Sequence, residues 1–176
     1  MMDDEEKATS DRRWLAAYVK MHHEKKVRDR LREMNIECFL PVQEEIRLWS
    51  DRKKKVERVL IPMMIFVYVN SDEQRSVITL PSVIRYMVLR GEHTPTVIPV
   101  AQMEQFRFMI DFSDTPVRFE SQPLRPGEKV RVIKGSLAGL EGELIIADGK
   151  SGVAIRINQL GCAMVEMQSS MVERIV

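Results

Sequence analysis

Apolar and polar positions along this chain change period several times, and each change marks an element. Residues 14–19 (Trp-Leu-Ala-Ala-Tyr-Val) form an apolar run that predicts a buried strand. From His23 to about Asn35 the apolar residues Val27, Leu31 and Met34 recur at helical spacing, while Lys25, Lys26, Arg28, Arg30 and Arg32 fall on the other face. Residues 36–40 read as a short strand that stops at Pro41, which has no N–H for a ladder. Glu45-Ile46-Arg47-Leu48-Trp49 alternates with period two, as does Val56-Glu57-Arg58-Val59, and the polar stretch 50–55 between them predicts a β-hairpin with a basic tip. Met64 to Val69 is continuously apolar, as in a central strand. Asn70-Ser71-Asp72 is a turn and cap for a short helix reaching about Leu80, and residues 83–88 form another strand. Pro99 starts a helix with Val100, Met103, Phe106 and Ile110 on one face.

This order, with hairpin-type connections, predicts an α+β sandwich around a mainly antiparallel sheet over residues 12–112. Residues 113–124, rich in Ser, Asp, Thr, Gln and Pro, read as a linker. After it the apolar runs are short and separated by glycines, at 130–133, 144–147, 153–157, 163–167 and 171–176. Asp148-Gly149 and Ser151-Gly152 are expected to supply tight turns. Five short strands with no helix over residues 125–176 predict a small all-β barrel.

Charge changes this picture more than composition does. The apolar (44%) and charged (30%) fractions are those of an ordinary globular protein, and no apolar run is long enough to span a bilayer. The formal net charge is only +1, yet residues 12–58 carry 14 Lys and Arg against 8 Asp and Glu. Residues 1–11 carry one Lys against five acids and are expected to be a disordered acidic tail. A positive field confined to one segment suits one surface that meets a polyanion, although Lys and Arg also serve simply to solvate a helix and a hairpin. The acidic N-terminus lacks the basic start of a secretory signal, and two distant cysteines suggest no disulfide framework, so a cytoplasmic location is expected.

Catalytic chemistry is not visible. His22 and His23 are adjacent and diverge by about 100° on a helix, with no second cluster at ligand spacing. Cys38 falls in a strand, and Cys162, expected in a loop after Gly161, has no evident activating base. No phosphate loop, dinucleotide fingerprint or nucleophile elbow is present, so neither an enzyme nor a cofactor is expected.

Two stretches carry specific information. Gly127-Glu128-Lys129-Val130-Arg131-Val132-Ile133-Lys134-Gly135-Ser136-Leu137-Ala138-Gly139-Leu140-Glu141-Gly142-Glu143 reads as a strand, a turn at Gly135 and a tight bend at Gly139. A second strand then starts at Gly142, where two backbones approach too closely for a side chain. This run resembles the KOW motif of NusG-type transcription factors and several ribosomal proteins. The second stretch is the N-terminal order itself: a Trp-led strand, a basic helix containing Glu24, Phe39-Leu40-Pro41, a basic hairpin, and Ile61-Pro62-Met63-Met64-Ile65-Phe66-Val67. It resembles the NusG N-terminal domain, with Met63-Met64 where Gly-Tyr is usual and Leu15 where a Tyr is usual. Within that family, residues 83–88, Thr94-Pro95 and 98–106 look like UpxY-type paralogues, operon-specific antiterminators of surface-polysaccharide loci.

The resemblance implies a non-catalytic, monomeric elongation factor that binds the clamp helices of the largest RNA polymerase subunits and suppresses pausing and termination. The positions matching the polymerase-binding patch are Ile61, Pro62, Met64 and Phe66 with Tyr18 beside them, and an opposing contact falls at Arg75 and Ser76. Lys20, His23, Lys26 and Arg30 match residues that touch non-template DNA, and Arg52, Lys53, Lys54 and Lys55 are candidates for upstream duplex. The barrel would recruit Rho or a small-subunit ribosomal protein through Leu140 and Leu160. Its turns and Val/Ile content favour strands over the helices that some specialised relatives adopt. Two alternatives stay open: a general elongation factor assisting Rho, and an RNA-binding protein that uses the KOW barrel.

Overall fold

The computed structural model describes residues 11–122 and 124–176, so the expected acidic tail lies almost wholly outside the described residues. The chain divides into two compact units. One takes the chain up to Pro41 together with Ile61–Val100, and the other takes Val42–Leu60 with Ala101–Val176.

The first unit is built on a mainly antiparallel sheet whose strands run in the order β2 (Glu37–Phe39), β5 (Met64–Val69), β1 (Arg13–Val19), β6 (Val83–Tyr86), with β7 (Val97–Ile98) also paired to β1. Strand β5 pairs with β1 over six residues, from Arg13 opposite Val69 to Tyr18 opposite Met64. Side chains alternate across this pairing, and both faces are buried. Leu15, Ala17, Ile65 and Val67 lie toward helices α1 (Glu24–Glu33) and α2 (Ser71–Ile78), and Ala16, Met64 and Phe66 lie on the opposite face. The helix-side assignment follows from Cys38, opposite Val67, whose Sγ donates to Arg28 O of α1, and from Tyr86, opposite Ala17, whose hydroxyl donates to Gln74 O of α2 at 2.7 Å. On the far face the Trp14 and Tyr68 rings lie tilted with centroids 5.1 Å apart, and Phe39 stacks near Phe66 at 6.3 Å.

Helix α1 forms where the spacing predicts, with Val27 and Leu31 buried. Helix α2 begins at a capping box: Asn70 Oδ1 accepts from Glu73 N at 2.9 Å, and Glu73 Oε2 accepts from Asn70 N at 3.1 Å. Glu73 also takes two hydrogen bonds from the Arg12 guanidinium, at 2.9 and 3.2 Å, which ties the start of β1 to the start of α2.

The second unit contains the hairpin β3 (Val42–Leu48) and β4 (Lys53–Val59), helix α3 (Val100–Phe112, all but its first residue) and a six-stranded antiparallel sheet. That sheet runs β13 (Val172–Arg174), β9 (Glu128–Val132), β10 (Glu141–Ala147), β11 (Lys150–Ile157), β12 (Gly161–Glu166), β8 (Val117–Glu120). Val130, Val132, Val153, Ile155, Ile157, Ala163 and Val165 are buried in it, and Ile145, Ala154, Cys162 and Met164 make a further apolar cluster.

Several expectations need correction. The five strands expected over residues 125–176 form as β9 to β13, but residues 117–120 of the expected linker are not a linker: they add a sixth strand, β8, beside β12. Val117 and Phe119 give that segment the period-two alternation its polar flanks disguise. The hairpin and α3 group with this sheet and not with the first: Gln43 Oε1 accepts from Val117 N at 2.7 Å, Arg58 donates to Val117 O at 3.0 Å, and Gln102 Oε1 accepts from Asn158 N at 2.7 Å. Asp148-Gly149 does form the β10–β11 turn, with both residues in the left-handed region (φ 52 and 76), but Ser151-Gly152 lies inside β11. Cys162 is in strand β12 and not in a loop. Val100, the first residue of α3, is exposed, whereas Met103, Phe106 and Ile110 are buried as expected.

The Arg12 hydrogen bonds, more than the cap, hold the Glu73 carboxyl below its ordinary value. Its contribution is therefore complete above about pH 4.5 and is lost as pH falls through the lowered folded value. Glu73→Gln is expected to destabilise the chain by about 1 kcal/mol at pH 7, a drop of about 2–4 °C in Tm. Thermal unfolding by circular dichroism should show that gap closing at acid pH.

Candidate functional site

At one end of the first sheet, the turn after β1 crosses the start of α1. His22 is left-handed (φ 63), and the chain then enters α1 at His23, whose N–H donates to Lys20 O at 3.0 Å. A second turn, Leu80-Pro81-Ser82, is fastened to it: Lys20 N donates to Ser82 O at 2.9 Å, and His23 Nδ1 lies 2.8 Å from Ser82 Oγ. A groove of about 640 Å3 runs between this turn and α1, lined among others by Lys26, Val27, Arg30, Leu80 and Pro81. Asp29 and Glu33 also line it, and Arg30 pairs with Glu33 at 3.1 Å. The structure thus brings together Lys20, His23, Lys26 and Arg30, with His23 committed to Ser82 through one ring nitrogen. The wall supplied by residues 80–82 was missed in the sequence; Pro81, ending the α2 pattern, was the signal for it.

The approach to β5 is the second surface. Met63 is left-handed (φ 63), and its N–H is received by the carboxylate of Glu24 at 2.9 Å, while its carbonyl accepts from Val19 N at 3.0 Å. Glu24 is buried, so an acid in the first turn of α1 fixes the bend that delivers the chain into β5. Of the apolar patch expected here, Tyr18 is half-buried beneath the Arg85 guanidinium, 4.8 Å from its ring centroid, and Pro62 is exposed. Ile61, Met64 and Phe66 are buried, Phe66 completely, which corrects the reading of all of them as contact surface. A central strand covered on both faces leaves only its lead-in available. Arg75 and Ser76 are exposed on α2, where each contacts Asp72, Arg75 at 3.6 Å through its carboxylate.

The hairpin also differs from expectation. The chain reverses at Trp49-Ser50-Asp51-Arg52, where Trp49 N donates to Arg52 O at 2.8 Å. Lys53, Lys54 and Lys55 lie in β4, paired with Leu48, Arg47 and Ile46, so the cations line the strand and only Arg52 sits at the tip.

In the second unit the glycine spacing has the expected geometry. Gly135 and Gly139 are left-handed (φ 86 and 96), and a Cβ on Gly142 would lie 2.7 Å from Ala154 O of β11. Gly127 N donates to Glu143 Oε1 at 3.0 Å, and the other oxygen of Glu143 receives Arg156 at 2.5 Å. Leu160 is half-buried in the β11–β12 turn. Leu140 is buried, with its carbonyl accepting from Val132 N at 2.9 Å, so it is not an exposed partner face.

Burial pushes the Cys38 and Cys162 thiols up from their ordinary value, leaving both protonated at neutral pH. Among the described residues no cluster of His, Cys, Asp or Glu could hold a metal ion, and no helix is long and apolar enough to cross a membrane.

Comparison with known proteins gives consistent matches. The family model described as transcription termination factor nusG matches residues 12–107. The chain is similar to the transcription termination/antitermination protein NusG of Pasteurella multocida (strain Pm70), 24% identical over 163 residues that span 91% of this chain and 85% of that protein. A solved structure concerned with domain interaction in Thermotoga maritima NusG has a TM-score of 0.53 at 18% identity, over 96% of this chain and 99% of that one, a likeness of fold. The MjSpt4:Spt5 complex (conformation A) covers 92% of this chain and 97% of its own at 13% identity, with a TM-score of 0.31 that carries no weight.

Glu24→Ala leaves the partly buried Met63 amide without its acceptor and is expected to cost about 1 kcal/mol, with Glu24→Gln milder because an amide oxygen can still accept. Chemical unfolding gives the stabilities, and faster hydrogen exchange at the Met63 amide would localise the loss.

Proposed function

The chain belongs to the NusG family, and from that premise we propose that it engages a transcribing RNA polymerase through the first unit while its basic groove holds exposed non-template DNA. As a member of that family it is a non-catalytic transcription termination/antitermination factor. The observation that carries the finer reading is the gathering of Lys20, His23, Lys26 and Arg30 around the Leu80–Ser82 turn. An apolar lining of Val27, Leu80 and Pro81 suits a base face, and Lys26 and Arg30 suit its phosphates, Arg30 after exchanging its pairing with Glu33.

The polymerase contact is proposed at the lead-in to β5, where Pro62 and Tyr18 present surface and the bend at Met63 is held by Glu24. Clamp helices of the largest subunits are the proposed partner there, with Arg75 and Ser76 as a separate contact. Binding that favours a closed, elongating polymerase acts by differential affinity for two states and needs no chemistry. The likeness of residues 83–88 and 98–106 to UpxY-type paralogues supports an operon-specific antiterminator of surface-polysaccharide genes, acting in the cytoplasm. The KOW barrel is proposed to recruit Rho or a small-subunit ribosomal protein, with Leu160 as its accessible apolar residue. We propose residues 12–112 and 125–176 as the two sequence modules of such a factor, with the hairpin and α3 of the first packed in the compact unit of the second. A general elongation factor is the second reading, favoured by the whole-chain likeness to the Pasteurella multocida protein.

Transcription in vitro with purified polymerase tests the proposal. The chain should reduce pausing or increase read-through on a cognate leader, and absence of both effects together with absence of polymerase binding would refute it. An effect on every template would favour the general factor. Lys26→Glu with Arg30→Glu is expected to weaken the pausing effect while polymerase affinity stays within about twofold. Tyr18→Ala with Pro62→Asp should instead weaken polymerase binding about tenfold, measured by co-sedimentation.

A further inference from the structure

The hairpin carries an apolar group that its basic residues do not explain. Ile46 is 64% exposed, Leu48 77% and Trp49 59%, so three large apolar side chains stand in solvent around one reversal of the chain. Strand register places Leu48 opposite Lys53 and Ile46 opposite Lys55, on one face. Arg47 and Lys54 are opposite each other on the other face, and Arg52 closes the tip. Arg47 is engaged by Glu45 at 2.8 Å; Lys53, Lys54 and Lys55 make no ion pair among the described residues.

We propose that this tip is a stacking prong for single-stranded DNA, with Trp49 as the residue that meets a base. The inference rests on the reading of the chain as a factor working on transcribed DNA, and adds a second contact on the other compact unit. Three observations select the occupant. An exposed indole among cations is the combination that holds single strands, with bases stacked on the ring and phosphates beside the charges. Duplex held by its phosphates alone would need the lysines but would leave Trp49, Leu48 and Ile46 in water. The core of a protein interface is depleted in lysine, whereas here lysines stand directly across from the apolar residues. Between nucleic acids, Ile46 and Leu48 offer apolar contact to the 5-methyl group of thymine, which uracil lacks. The hairpin base is fixed by the bonds of Gln43 and Arg58 to Val117, so the prong projects from an anchored root.

The chain's two tryptophans allow a direct test, because Trp14 is 4% exposed and fluorescence sensitive to an added ligand reports Trp49. The full chain is titrated at low salt with a short oligothymidylate, the matching oligouridylate and a duplex of equal length. Oligothymidylate is expected to quench emission and to bind more tightly than the other two. In the Lys26→Glu, Arg30→Glu background, which removes the groove as a competing site, Trp49→Ala followed by anisotropy of a labelled oligothymidylate should weaken binding about 5- to 100-fold, with Trp49→Phe retaining most of it. Charge reversal of Lys53, Lys54 and Lys55 together should flatten the dependence of log affinity on log salt by about 2. Circular dichroism of each variant checks that the fold is kept. Lys26→Glu with Arg30→Glu should leave the Trp49 quench in place, which separates the prong from the groove. No quench with oligothymidylate, equal quench by duplex, or preference for oligouridylate would overturn the proposal. So would unchanged affinity in Trp49→Ala, or a Trp49→Ala loss seen only in polymerase binding, which would assign the tip to a protein. In each of these cases, pausing suppression that still depends on Lys26 and Arg30 would leave the proposed function standing.

Discussion

Strand β5 has to be buried on both faces, and most of the first unit follows from that requirement. Its six residues are apolar without a break except at Tyr68, so it can only sit between two other strands, and β1 and β2 supply them. One face then requires α1 and α2. The bend at Met63 must present the strand at the correct register, because a slip of one residue would exchange the two buried faces. Glu24 secures that bend from the first turn of α1. The helix that carries the cations is thereby tied to the strand whose lead-in is proposed to meet polymerase. Core packing and candidate function therefore share one small set of bonds: Met63 to Glu24 and Val19, and Ser82 to Lys20 and His23.

Polar residues do a comparable job in the second unit. Glu143 joins Gly127 to Arg156, and Arg156 also donates to Leu124 O, so the chain entering β9 is held against β10 and β11. Gln43 and Arg58 join the hairpin root to the start of β8. Here the sheet, the hairpin and α3 form one compact unit even though they lie far apart in sequence. The charge asymmetry of residues 12–58 is consequently divided: the α1 cations stay with the first unit, and the hairpin cations belong to the second.

The elements with strong periodicity were legible from sequence. Strands β1 and β5, the helical stripe of Val27 and Leu31, the Asn70 cap and the glycine pattern of residues 127–142 each have a local physical cause that the sequence displays. Strand β8 was hidden because Thr115-Pro116 and Ser121-Gln122 on either side read as linker, and its four residues gain order from pairing with β12. The clustering of Lys20, His23, Lys26 and Arg30 was legible as a basic helix face, but the Leu80–Ser82 wall was not, since it comes from a turn about fifty residues away. Phe66 and Met64 were misplaced for a related reason. Alternation says which residues share a face but not whether that face is covered. Exposure of Trp49 was likewise unreadable, because an alternating hairpin normally turns its apolar side toward a core.

The central claim is that the chain meets polymerase with the end of the first unit where β1, α1 and the lead-in to β5 converge. Hydrogen exchange of the full chain, alone and bound to RNA polymerase, tests it most directly. The account predicts new protection over residues 18–30 and 60–64, with the core of β5 already protected in the free chain. Protection confined to residues 125–176, with no change around α1 or Met63, would contradict it.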